Sequence, residues 1–364
     1  MTELEDRFRR AYRACTTFPL GRGPEGPAAS FRRLAEAADE LGLDEEADVY
    51  GERGPVERLE REVARLLGKP DAVLFVSGVM AQQAALRAWC DRTGTRRVAL
   101  PDLSHLLVHE EDGPRRVHGF EVELLTVGRE VATAAHLDRI PGRLGAVLVE
   151  LPLRDAGCLL PTWDELVALS EAARRRGVPL HADGARIWES QPFYDRPLPE
   201  IADLVDSIYV SLYKGLAAPS GALVAGPEDL TAELRVWRRR LGGTLYRMTT
   251  QAVGGLVGLR DALPLMGEYV ASARRLATAL EGRGFRCTPS PPHTNTFFVH
   301  AEGDAETLTQ RLVARMEADR VAVGSPWRPA DVPGWAVTEV AVAAVVSAQL
   351  AEEVADRLRG AVDA

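Results

Sequence analysis

The chain has 364 residues, 46% hydrophobic and 27% charged, which suits two or three globular domains with substantial cores. Its formal net charge of −9 argues against nucleic-acid binding, since the densest basic patch, WRRRLGG (237–243), is short. No run of 18 apolar residues exists, so no membrane span is expected, and the charged start MTELEDRFRR lacks the apolar stretch of a signal peptide. Cys15, Cys90, Cys158 and Cys287 form no CxxC pair. That disfavours a disulfide framework or a zinc site and fits a reducing cytoplasm; no other His/Cys/Asp spacing suggests a metal.

In chain order, the first 47 residues read as an irregular N-terminal arm, with PLGRGPEGPAAS (19–30) a Gly/Pro-rich loop. PVERLEREVARLLG (55–68) reads as a helix, with Val56, Leu59, Val63 and Leu66 on one stripe, Pro55 at its start and Gly68 past its end. Short apolar strands then alternate with helices. The strands are DAVLFVSG (71–78), RRVALPD (96–102), GAVLVELPL (145–153), VPLHADGA (178–185) and SIYVSLYKG (207–215), followed by a hairpin-like return GALVAG (221–226). Helices are read at MAQQAALRAWC (80–90) and PTWDELVALSEAARRRG (161–177). Strands without polar alternation, separated by helices, indicate an α/β fold whose mostly parallel sheet is covered on both faces. From about residue 265 the pattern changes to a smaller α+β domain, giving an arm at 1–47, a large domain at 48–262 and a small domain at 263–364.

Ligands of such sheets bind at the carboxyl ends of the strands, where the polar residues of this chain gather. Lys69 and Lys214 are its only lysines among 44 Lys+Arg. Arginine does surface and phosphate work as well as lysine but cannot lose its proton to become a neutral amine nucleophile. Lys69, in GKP after a helix, reads as chance survival, whereas Lys214 ends a strand run with Gly215 leaving room beside it. Asp183 closes the buried strand VPLHAD and needs a cationic partner, which Arg186 could supply as a purely structural pair. SGVMAQQ (77–83) opens a helix whose free N–H groups suit a phosphate, although an ordinary strand-to-helix turn reads the same way. Together, a phosphate cradle, a carboxylate and a lysine on neighbouring strand ends meet the needs of pyridoxal 5′-phosphate: a Schiff base, a protonated pyridine nitrogen and an anchored phosphate.

The chain resembles the threonine aldolase and β-eliminating lyase group of fold-type-I pyridoxal-phosphate enzymes. The matching stretches are DVYGERGP (48–55), FVSGVMAQQAALRA (75–88), SHLLVHEEDG (104–113), HADGARIW (181–188), DSIYVSLYKGLAAPSGALVAG (206–226), RRRLGGT (238–244) and HTNTFF (293–298), in the family's order. The resemblance implies a mostly parallel seven-stranded sheet and a smaller C-terminal domain. It implies Lys214 as the Schiff-base lysine, Asp183 on the pyridine nitrogen, and Ser77, Gly78 and Val79 at the phosphate. It places His105 over the cofactor ring, with a role as base, and Arg186 against the cofactor and the substrate carboxylate. Tyr50 and Arg247 become candidate substrate contacts, Tyr50 near a subunit interface, in a homodimer or homotetramer with shared sites.

Four stretches depart from the family pattern. Val79 stands where the family shows Thr, and LPLRDAGCLL (151–160) replaces a cofactor-proximal loop. RACT (13–16) stands for a substrate-holding segment, and Glu339 for an expected C-terminal arginine. The resemblance implies a lyase acting on a small amino acid, foremost aldol cleavage of a β-hydroxy-α-amino acid to glycine and an aldehyde. The alternatives are β-elimination or other Cα chemistry on the same cofactor, and a non-catalytic binding or regulatory protein on the same fold.

Overall fold

The computed structural model describes residues 3–43 and 46–363, which form two compact units, one spanning 28–264 and the other 3–27 with 265–363. The larger unit carries a seven-stranded sheet of β1 (Asp71–Phe75), β2 (Arg97–Leu100), β3 (Glu121–Leu124), β4 (Ala146–Glu150), β5 (Leu180–Gly184), β6 (Ser207–Ser211) and β7 (Ala222–Gly226). Its spatial order is β1-β7-β6-β5-β4-β2-β3. The pairs from β6 through to β3 are parallel, and β7 runs antiparallel to both β6 and β1. Every residue of β4 to β7 is buried, which accounts for the apolar runs in β4, β6 and β7, while β5 carries His181 and Asp183 inside the sheet. β3, at the sheet edge, has no buried residue and gave no clear signal.

Because β7 reverses direction twice over, β1 points the same way as β4, β5 and β6. The carboxyl ends of all four therefore open on one edge, and the residues just after them meet there. The helix Gly54–Leu67 ends as its sequence suggests, with Gly68 left-handed at φ 63 and its N–H bonded to the last turn.

The other unit holds a four-stranded antiparallel sheet, β8 (Arg286–Thr288), β9 (Thr296–Glu302), β10 (Arg328–Pro329) and β11 (Trp335–Ala341), in the order β10-β11-β9-β8. The expectation of an irregular arm at 1–47 is corrected. Residues Glu3–Ala14 and Pro27–Glu40 are helices, and the first belongs to the unit of the C-terminal sheet. Leu4, Phe8, Ala11 and Cys15 lie on one helical stripe and pack into that unit's core. The stripe is legible in the sequence but is diluted by the arginines between its members.

Candidate active site

Lys214 lies three residues past β6 in a tight turn. The N–H of Ala217, at φ 55, donates to the Lys214 carbonyl over 3.0 Å, and the N–H of Ala218 donates to that of Leu212 over 2.9 Å. Burial pushes the Lys214 amine below its ordinary value, and Asp183 opposes the shift. The space at Gly215 is not open room for the lysine, as the sequence suggested. It is filled by the Glu189 carboxyl, which would collide with any Cβ at that position.

Asp183, in β5, is buried. Its Oδ1 accepts the N–H of Ala185 at 2.9 Å and its Oδ2 accepts the Gln82 side-chain amide. Burial raises its carboxyl, and Lys214, the Ala185 N–H, His105 and Gln82 hold it back. In the neighbouring β4, Glu150 stands in register with Asp183. Burial, with the Asp183 charge beside it, pushes Glu150 well above the usual carboxylate range. Glu150 Oε1 accepts the backbone N–H of His105 at 2.7 Å, which fixes the start of the segment that carries that imidazole.

The helix Gly78–Thr93 starts at the carboxyl end of β1. Ser77 caps it, its Oγ accepting the Met80 N–H at 3.3 Å, which leaves the Gly78 and Val79 amides as first-turn donors for an anion. Gly78 cannot be replaced freely, because a Cβ there would collide with the Tyr209 hydroxyl. That hydroxyl therefore stands at the start of this helix, where Val79 supplies none.

Gly78, Val79, Gln82, His105, Glu110, Asp183, Tyr209, Tyr213 and Lys214 line one small cavity. Five of the nominated residues thus come together in it, and Ser77 supports it as a cap. Arg186 follows Asp183 on the next helix start, and its charge acts on Lys214. Tyr50 and Arg247 lie elsewhere, around buried Asp48. The Arg247 guanidinium donates to the Asp48 carbonyl and packs 4.4 Å from the Tyr246 ring centre, and the Tyr50 N–H donates to the Tyr246 carbonyl at 3.1 Å. Glu339 lines a separate cavity in the other unit together with Tyr12, Arg22 and Ser325.

Gln82, Gln83, Glu110, Glu150 and Tyr209 escaped the sequence reading. His105 Nδ1 lies 3.2 Å from Glu110 Oε1, and the Gln83 amide donates to Glu110 Oε2 at 2.7 Å. In a neutral imidazole, a proton on Nδ1 donated to Glu110 leaves Nε2 as the acceptor. The polar pair QQ inside an apolar helix start was the available signal. His109 pairs with Asp155 at 2.8 Å and packs against the His105 ring. His118 is buried against Phe120 and Trp237.

These residues fit pyridoxal phosphate: an amine of depressed basicity, a buried acceptor carboxylate beside it and a helix start for the phosphate. The family model of the beta-eliminating lyases matches residues 30–304. The chain belongs to the beta-eliminating lyase family. Among solved structures similar to it are two at TM-score 0.90, each covering 98% of this chain and 99% of theirs. One, from Exiguobacterium sp. 255-15, is 34% identical and described as an aromatic amino acid beta-eliminating lyase/threonine aldolase. The other, from Listeria monocytogenes EGD-E, is 33% identical and described as an L-allo-threonine aldolase. The low-specificity L-threonine aldolase 1 of Arabidopsis thaliana is 28% identical over 289 residues, 75% of this chain and 79% of its own length. The lyase family's fold-type-I architecture is thus present here, with Lys214, Asp183 and His105 at one edge of its sheet. Among the described residues no helix is long and apolar enough to cross a membrane.

Proposed function

We propose that the chain is a pyridoxal-phosphate-dependent lyase that cleaves the Cα–Cβ bond of a β-hydroxy-α-amino acid, giving glycine and an aldehyde. The observation that carries this reading is the convergence of Lys214, Asp183 and His105 on one cavity at the start of the helix Gly78–Thr93. When bound, pyridoxal phosphate supplies an electron-withdrawing ring that takes up the electron pair released at Cα.

The protein supplies the rest. The lowered basicity of Lys214 keeps a larger share of its amine neutral and nucleophilic at neutral pH. Asp183 would accept a hydrogen bond from the protonated ring nitrogen, and the Gly78 and Val79 amides with the Tyr209 hydroxyl would hold the phosphate. His105 Nε2 is the base offered to the substrate hydroxyl, and Glu110 holds the imidazole in that tautomer. Arg186, whose charge acts on Lys214, is the cation offered to the substrate carboxylate.

β-Elimination on the same cofactor is the second reading, favoured by the altered loop 151–160 and by Glu339 standing where the resemblance led to an arginine. We place Tyr50 and Arg247 at the interface of a homodimer or homotetramer, contributing to a neighbour's site. Exposed Val49, Tyr50, Leu245 and Tyr246 support that placement. Four buried thiols support a cytoplasmic location.

The deciding experiment is the visible absorption spectrum of the purified protein before and after glycine. A yellow protein whose spectrum gains a sharp longer-wavelength band with glycine supports aldol chemistry, and aldehyde release from threonine isomers should follow. A yellow protein indifferent to glycine but releasing pyruvate from cysteine conjugates establishes the second reading. A protein that takes up no cofactor refutes both.

A further inference from the structure

Behind Asp183 lies a line of buried polar side chains that the proposed chemistry does not use. The Trp89 indole N–H donates to Ser207 Oγ over 2.8 Å. Ser207 Oγ lies 2.8 Å from His181 Nδ1, and His181 Nε2 lies 3.2 Å from Gln82 Oε1. The Gln82 amide then donates to Asp183 Oδ2. Ser207, His181, Gln82 and Asp183 are all at most 5% exposed, and Trp89 is 9% exposed.

The direction of every bond follows from the two ends. Indole N–H can only donate, and an ionised carboxylate can only accept. Gln82 must therefore turn its NH₂ to Asp183 and its oxygen to His181, so His181 carries its proton on Nε2. Nδ1 is then a lone pair that takes the Ser207 hydroxyl proton, and the Ser207 oxygen takes the indole N–H. With Asp183 ionised and the imidazole neutral, no other set of tautomers and amide rotamers satisfies all four links at once. Burial holds the His181 imidazole neutral, with its basicity down to about 3, so the link through it does not break by protonation near neutrality. Gln82 is rooted one turn after Gly78, so the helix that presents amides to the phosphate also presents a donor to Asp183.

We propose that Trp89, Ser207, His181 and Gln82 form a one-way chain of hydrogen bonds ending on Asp183. The chain keeps that carboxylate ionised and aimed as the acceptor of the cofactor's ring-nitrogen proton, with Gln82 and His181 as positioning residues. The inference rests on the pyridoxal-phosphate reading of the site. It explains how a carboxylate that burial would neutralise stays charged: each donor in the line is polarised by the next, and the last bond is made to a charged group.

The test uses ¹⁵N-histidine-labelled protein together with Gln82→Met, which keeps side-chain volume and removes the donor, and Ser207→Ala, which breaks the chain two links away. In the cofactor-free wild type at neutral pH, the His181 nitrogens should report a neutral ring protonated on Nε2. A proton on Nδ1 overturns the assigned direction. In the holoenzyme reconstituted with ¹⁵N-labelled pyridoxal phosphate, the wild-type ring nitrogen should be protonated. Gln82→Met should lose much of that protonation and bind the cofactor at least about tenfold more weakly, the scale of one hydrogen bond to a charged group. Ser207→Ala should shift the ring nitrogen in the same sense by less, and Ser207→Thr, which keeps the hydroxyl, should restore it. Unchanged ring-nitrogen protonation and affinity in a folded Gln82→Met protein overturn the proposal and leave the line as core filling. If the wild type binds no pyridoxal phosphate at all, the cofactor reading fails instead, and the His181 tautomer still decides the direction of the chain.

Discussion

Lys214 is one of two lysines in an arginine-rich chain, and the two have different work. Lys69 Nζ donates to the Val205 carbonyl over 2.6 Å, a structural bond within the large unit. Lys214 faces the cavity with Asp183 and His105. Lys214→Ala is expected to lower turnover by several orders of magnitude, as loss of a nucleophile does, with an unchanged far-ultraviolet circular dichroism spectrum. Lys69→Ala should leave kcat within a few-fold of wild type, and a comparable loss in both variants would refute the distinction.

Gly78 gives a second test. An alanine methyl there collides with the Tyr209 hydroxyl, a strain of about 1–3 kcal/mol. Removing the oxygen in Gly78→Ala/Tyr209→Phe should recover part of it. A double-mutant cycle read by urea denaturation checks this, and simple additivity of the two changes would rule out the contact.

Protonation acts at the same scale. Burial holds His118 down to about 4 and His181 down to about 3. Below about pH 6.5, the ordinary histidine value, the unfolded chain therefore binds protons that the folded protein refuses. Their contribution to stability is full above that pH and is lost as pH falls towards 4 and then 3. Urea midpoints measured from pH 7.5 to 4.5 should decline, and His118→Phe, which keeps a ring against Phe120 and Trp237, should flatten the decline. An equal slope in the variant would show that His118 does not contribute.

Among the elements, β1 is tied to the helices on either side of it by a buried charge cluster. Glu60 Oε1 accepts the Leu74 N–H at 2.7 Å, and Arg235 bridges Glu60 Oε2 at 3.2 Å to Asp71 Oδ2 at 2.7 Å. Arg238, only 3% exposed, lies 3.7 Å from Glu60 and donates to the Leu74 carbonyl at 2.7 Å. Burial pushes the Glu60 carboxyl up, and the Leu74 N–H and both guanidiniums pull it back. Glu60→Leu leaves Arg238 buried without its acid and should cost about 3–5 kcal/mol in chemical denaturation. A loss below about 1 kcal/mol would mean that the guanidinium finds water or another acceptor. Because β1 delivers Ser77 and Gly78 to the site, the same variant should also weaken cofactor binding.

At the scale of the whole molecule, residues 3–27 belong to the C-terminal unit. Ala11 and Cys15 are part of its core, and Arg7 pairs with Glu317 at 2.6 Å. Removing the first 20 residues uncovers that core, so the truncated protein should melt several degrees lower and bind more of a hydrophobic dye. An unchanged melting temperature would mean that the helix adds no stability. A ligand held only by the folded state stabilises it by about 2.7 kcal/mol at a hundredfold excess over its dissociation constant. Added pyridoxal phosphate should therefore raise the melting temperature of the apoprotein, and Lys214→Ala should show a smaller rise.

The apolar runs of β4, β6 and β7 announce a doubly covered sheet, because strands buried on both faces need no polar side. The rarity of lysine, the strand-closing Asp183 and the SGV turn mark one sheet edge as chemical, since each residue type there is poorly explained by packing. What reads poorly along the chain is whatever depends on partners distant in sequence. Gln82 meets Asp183 across 101 residues and His181 across 99, and Trp89 meets Ser207 across 118. An edge strand such as β3 and an arginine-diluted helix such as Glu3–Ala14 carry too little periodic signal to stand out. Local chemistry and hydrophobic period are written in short windows of sequence. Hydrogen-bond partners, the burial that shifts a pKa, and the unit a terminal helix joins arise only when strands far apart in the chain are brought side by side.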